Sequence, residues 1–237
     1  VAVIGAVIMA FGGVYLARHF ALLLLGGWSM SIPQDDGGYL RYLYIEHGAM
    51  AAISLAGILL LRWRTGESFG LRWPERAGDI HKAVGIALAV FVVFTAVNYL
   101  PNVIGRSPPP LPHPLTLPSI VGWSLFQGGW VGPSEEILFR GLIIGYLAGA
   151  FPGSLKFRTL QISWATIISA VLFGLIHVSA GQLWWQNAFH ATYACSLGLV
   201  YGVWMQRSRS LLAPSLAHNA TDLAALLTGW TLGAFLR

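Results

Sequence analysis

The chain is a succession of long apolar runs, and that pattern limits its fold more than any motif does. Residues 2–27, 41–61, 82–100, 117–151, 162–179, 186–206 and 211–230 are each apolar over roughly the 20 residues that a helix needs to cross a bilayer. Only 10% of the side chains are charged and 56% are hydrophobic, whereas a soluble domain carries about a quarter of its residues as Asp, Glu, Lys or Arg. So few charges cannot cover a water-facing surface. The reading is an all-α fold: a polytopic transmembrane helix bundle of about seven to eight membrane helices around a buried polar cavity. The first run has no small-residue cleavage site and reads as a spanning helix, not a signal peptide. The start at Val1 rather than Met points to residues upstream.

The fourth run is too long for one straight crossing. It is interrupted by GGWVGP (Gly128–Pro133), which predicts a kinked helix or two half-segments. The proline-rich RSPPPLPHPLTLP (Arg106–Pro118) is predicted to be an extended loop outside the hydrocarbon. With alternating crossings, Arg62, Arg64, Arg72, Arg76, Lys82, Lys156, Arg158, Arg207 and Arg209 share one side, nine of the fourteen Lys and Arg. That side is expected to be cytoplasmic, which puts the amino terminus inside and Asp35, Asp36 and the prolines opposite. The location that follows is integral and multi-pass, in a cell inner membrane. The formal net charge of +5 thus reflects orientation; no basic cluster is long enough to follow a nucleic acid backbone. The single cysteine, Cys195, excludes an intrachain disulfide and a multi-cysteine zinc site.

A few ionisable residues remain inside the runs: Arg18, Glu46, Glu135, Glu136, Arg140, Asp222 and several histidines. Such residues face the protein interior and mark functional sites by default. In GPSEEILFRG (Gly132–Gly141), Glu136 and Arg140 are one helical turn apart, in the favourable order for an ion pair. Glu135 points about 100° away and is left to face a cavity, where a desolvated carboxylate can take a proton from water and return it. A plainer reading also applies: Pro133 and Ser134 resemble a helix start, and acids there favour the helix dipole. Further on, FGLIHV sets Phe173 and His177 on one helical face, and LAHNATD does the same for His218 and Asp222. Carboxylates and imidazoles on three helices are enough to activate a water and to stabilise charge on an attacked carbonyl. Weaker candidates are His190 and Asn187, as cavity or core residues, and Glu46 and His47, as gating or interface groups. Asn219 adjoins His218 but points elsewhere on a helix. Gly198 and Gly202 form a GxxxG pattern suited to close helix packing within the monomer.

These motifs resemble those of the CAAX-prenyl-endopeptidase-like intramembrane proteases, the CPBP or ABI family. EEILFR resembles its EExxxR motif, FGLIH its FxxxH motif and HNATD its HxxxN/D motif; ESFGLRWPE resembles a loop motif seen upstream of that core. The resemblance implies one integral membrane domain over 1–237, with three N-terminal helices and loops in 1–116 and a catalytic core in 117–237. It implies an endopeptidase acting on a membrane-embedded or lipid-anchored peptide or protein, with membrane lipids as its other partners and no nucleic acid. Carried over residue by residue, Glu135 is the general base, Glu136 and Arg140 support it, and His177 and His218 lie near the water and the carbonyl. Asp222 takes the place usually held by asparagine. Aspartate accepts where asparagine donates, so Asp222 is either protonated, an orienter of His218, or a metal ligand. Glu135, His177, His218 and Asp222 form an alternative zinc set, but the spacing is not that of an HExxH helix and the expectation is chemistry without a cofactor. The competing functions are a non-proteolytic scaffold or bacteriocin-immunity-type protein, and a transporter, which the lack of paired repeats disfavours.

Overall fold

The computed structural model describes residues 1–26, 31–158 and 160–236. Gly27, which closes the first predicted run, and Arg237, which closes the predicted core, lie outside the described residues. Helix α1 (Ala2–Val7) passes through a π-helical turn, Ile8–Gly12, into α2 (Gly13–Gly26), so the first run forms one apolar rod. It is followed by α3 (Asp36–Thr65) and α4 (Gly78–Ile104). By length and composition these three rods can cross a membrane. The chain is therefore a multi-pass integral membrane protein.

The fourth run is broken into five short pieces. These are α5 (Leu117–Leu125), a π-helical stretch Phe126–Trp130, α6 (Val131–Glu136), a second π-helical stretch Ile137–Ile143, and α7 (Ile144–Ala150). Pro133 has no N–H and would press its ring on the carbonyl four residues back; the preceding wide turn, which contains Gly128 and Gly129, absorbs that misfit. A short antiparallel hairpin follows, Ser154–Phe157 against Leu160–Ser163, with Lys156 opposite Gln161. It is a small departure from the all-α expectation. The remaining helices are α8 (Trp164–Ile176), α9 (Trp184–Ser208) and α10 (Leu212–Phe235).

Among the described residues, three clear membrane helices and one shorter apolar helix, α8, stand where seven to eight crossings were expected. The reason is compositional. Helices α9 and α10 have 25 and 24 residues, long enough by rise alone, but Gln186, Asn187, His190 and Gln206 dilute the first, and Ser215, His218, Asn219 and Asp222 the second. The residues that make this part interesting are those that weaken its membrane signature.

Caps set the helix ends. The Asp35 side chain accepts from the Gly38 N–H at 2.7 Å at the start of α3, which ends on Gly66 in the left-handed region, φ 74°. Beyond it, the ESFGLRWPE loop is tied to the turn between α9 and α10. The Leu211 N–H donates to the Gly70 carbonyl at 3.0 Å and the Ser210 hydroxyl to that of Arg72 at 2.5 Å. Buried Phe69 packs on Gly141 and Gly145, where a side chain on Gly145 would collide with its ring.

At the other end of α3 the proline-rich segment is irregular loop as far as Thr116, whereas Leu117 and Pro118, expected in the loop, already belong to α5. Asp36 accepts from Ser119 Oγ at 2.8 Å, Trp123 Nε1 at 3.0 Å and His113 Nδ1 at 3.1 Å. The His113 ring stacks on Trp123 with centroids 3.4 Å apart. Burial outweighs the Asp36 carboxylate and holds His113 below the usual histidine range. The Trp230 indole donates to the His113 carbonyl at 3.0 Å, so the loop is strapped to α3, α5 and α10 together.

The GxxxG pattern acts within the monomer. Gly198 packs against Ala170 and Gly202 against Thr166, bringing α9 close to α8. Gly132 does the same between α6 and α10: its N–H donates to Asn219 Oδ1 at 2.8 Å, and an added Cβ would lie 2.5 Å from the Ser215 carbonyl oxygen. A backbone oxygen cannot swing aside as a side chain can. Gly132→Ala is therefore expected to lower stability by about 1–3 kcal/mol, read as a shift of the unfolding midpoint of the detergent-solubilised protein.

Candidate active site

Glu136 and Arg140 are completely buried, at 0% exposure each. Arg140 Nη1 donates to Glu136 Oε1 at 2.9 Å, and His218 Nδ1 from α10 donates to that same oxygen at 2.9 Å. The pairing implied by the four-residue spacing persists although Arg140 lies in the π-helical stretch. The rest of the guanidinium meets aromatic faces, 4.4 Å from the Phe173 centroid and 5.2 Å from that of Tyr201. Its Nε and Nη2 find no hydrogen-bond partner among the described residues. Tyr201 also stacks on His218 at 4.9 Å and gives or takes a hydrogen bond at 2.6 Å with Thr221.

His218 is thereby locked. One ring nitrogen is committed to Glu136, so the other, Nε2, is presented to Asp222 Oδ2 at 3.4 Å and Glu135 Oε2 at 3.7 Å. Glu135 points away from the Glu136–Arg140 pair and lines a cavity of about 430 Å³ with His177, His218 and Asp222. That volume is in the range of small-molecule sites, roughly 300–1,000 Å³. Pro112 and His113 of the strapped loop form part of its wall.

His177 caps the C-terminal end of α8, a helix of 13 residues that rises about 20 Å, and from there it lines the cavity. The His177 Nδ1–H donates to the Phe173 carbonyl at 2.7 Å, which leaves Nε2 as the ring nitrogen available to the cavity. Phe173 packs edge-on against both His177 and His218.

The structure thus brings Glu135, His177, His218 and Asp222 to one cavity, with Glu136 and Arg140 behind it. Asn187 instead pairs twice with the Ser179 backbone, at 2.9 and 3.0 Å, and His190 lines a separate aromatic pocket with Phe94 and Phe189. Among the described residues, no three His, Cys, Asp or Glu side chains are gathered to hold a metal ion. Glu135, His177, His218 and Asp222, the alternative zinc set, do not form such a group.

His47 was underestimated. Its Nε2 lies 3.4 Å from Glu135 Oε1 and it lines the same cavity. The one sequence signal was an ionisable residue in an apolar run. His113, hidden among prolines in a loop, gave none.

Residues 115–224 match the family model described as type II CAAX prenyl endopeptidase Rce1-like. All three motifs fall inside that segment. This identifies the chain, over residues 115–224, with the Rce1-like CAAX-protease (CPBP/ABI) family. No curated protein and no solved structure matches it. The buried glutamate–histidine network is consistent with an Rce1-like catalytic site, and His47 lies outside the matched segment.

Removing one member of a buried ion pair leaves the other uncompensated. Glu136→Ala is expected to cost about 3–5 kcal/mol, with much of the loss recovered in the Glu136→Ala, Arg140→Met double variant. Unfolding midpoints of the two variants in detergent provide the check.

Proposed function

We propose that the chain is an intramembrane endopeptidase that hydrolyses a peptide bond of a membrane-associated substrate with a glutamate-activated water. The observation that carries this reading is the division of labour between two adjacent acids. Glu136 is consumed by Arg140 and His218. Glu135 faces the cavity, and its Oε2 has no hydrogen-bond partner among the described residues.

In this reading Glu135 takes a proton from water as the water oxygen attacks the peptide carbonyl carbon. The carbonyl π electrons move to oxygen, where the Nε2–H of His177 or His218, as imidazolium, stabilises the charge. The tetrahedral centre then collapses, the C–N bond breaks, and Glu135 returns the proton to the leaving amine. Asp222 orients His218 through Nε2 and does not donate to the oxyanion. The site residues are Glu135, His177, His218 and Asp222, supported by Glu136 and Arg140, and residues 117–237 form the catalytic core of a single domain. Helices α5 to α10 complete a bundle of seven to eight membrane helices in the inner membrane. The substrate is membrane-embedded or lipid-anchored.

The purified protein in lipid vesicles, offered a panel of membrane-anchored peptides with and without chelator, tests the proposal. Glu135→Gln should lose about 10²–10⁴-fold in cleavage with its unfolding midpoint unchanged. Full activity in that variant would remove Glu135 from the role of base, and equal loss in chelator would return the chemistry to a metal.

A further inference from the structure

The carboxylate of Glu135 has two oxygens, and the residues assigned so far account for only one side of it. Oε2 looks across the cavity toward His218; Oε1 is approached by His47 of α3 at 3.4 Å. His47 belongs to the N-terminal part of the chain, outside the segment that carries the family motifs. We propose that His47 is a positioning residue for the reaction, holding Glu135 Oε1 so that Oε2 is turned to the attacking water. This inference rests on Glu135 acting as the base.

The ring is fixed independently of Glu135. Its Nδ1–H donates to the Leu43 carbonyl, one turn back, at 3.0 Å. A carbonyl can only accept, so Nδ1 carries hydrogen, and Nε2, turned to the acid, holds it as the second N–H of an imidazolium. His177 uses the same arrangement with Phe173. Phe126 packs edge-on against His47 with centroids 5.0 Å apart. Two bonds hold α3 to the segment that carries Glu135: Trp130 Nε1 donates to the Tyr44 carbonyl at 3.1 Å, and the Tyr44 hydroxyl to that of Gly122 at 3.3 Å. The Trp130 ring lies against α3 at Gly48.

Of the other groups that line or back the cavity, His177 leaves its Nε2 to the cavity, and the rest are committed. Arg140 is taken by Glu136, and His218 Nε2 is divided between Asp222 and Glu135. Among the described residues, the His47 Nε2 forms an ion pair with Glu135 and with no other acid. A carboxylate anchored at one oxygen loses its torsional freedom, and misplacement of a reacting group by about 1 Å can cost of the order of 10²-fold in rate.

The test compares His47→Ala with His47→Gln, whose amide N–H can still reach Oε1, in the full chain in vesicles. His47→Ala should lower kcat by about 10–100-fold with KM within about two-fold of wild type, and His47→Gln should recover most of the loss. Unchanged kcat in His47→Ala, or no recovery in a folded His47→Gln, would overturn the proposal. An activity-free reading runs in parallel on protein labelled with ¹³C-glutamate. The infrared carboxylate bands lost in Glu135→Gln should shift in His47→Ala and return in His47→Gln. If the wild type cleaves none of the peptides, the protease reading fails, while the bands still decide whether His47 holds Glu135. Bands that stay in place in His47→Ala refute it.

Discussion

A carboxylate buried at Glu136 organises this protein. An isolated charge in such a place would cost many kcal/mol, and the fold meets that cost with two donors on one oxygen: Arg140 from its own segment and His218 from α10, each at 2.9 Å. The consequence is geometric. Two chain segments 82 residues apart are held at fixed separation, and the His218 ring is fixed in orientation. The aromatic rings of Phe173 and Tyr201 close over the guanidinium, so α8 and α9 are drawn into the same arrangement.

Backbone irregularity serves that arrangement. Two π-helical stretches bracket the acids, as such turns often do at functional sites, and they let a proline-containing segment bend toward α10. Gly132 allows the approach and Asn219 secures it. His177, at the end of α8, lines the same cavity as Glu135. The strapped proline-rich loop, anchored through Asp36 and Trp230, closes one wall. Every one of these features departs from an ideal spanning helix.

The motif-bearing residues were legible before any coordinates, because ionisable side chains in apolar runs are costly enough to have a reason. The i,i+4 pair Glu136–Arg140, the exclusion of Glu135 from it, the break at Gly128–Pro133 and the close packing at Gly198 and Gly202 all follow from local periodicity and residue size. The crossing count was met in part, by three membrane-length helices and one shorter apolar helix among the described residues. Apolar runs were counted as full spans, whereas α8 is too short and α9 and α10 too polar to qualify by composition. The hairpin Ser154–Phe157 with Leu160–Ser163 was missed because it is brief and lies between two stronger helical signals.

The sequence by itself determined that the chain lives in a membrane and which of its side chains are chemically unusual, since both depend on composition and short-range spacing. Which oxygen of Glu135 faces which ring was decided only by the tertiary structure, as was the arrival of His47 from α3 beside it. Contacts between residues 88 positions apart leave no periodicity in the chain, because they depend on how separate helices pack, tilt and end.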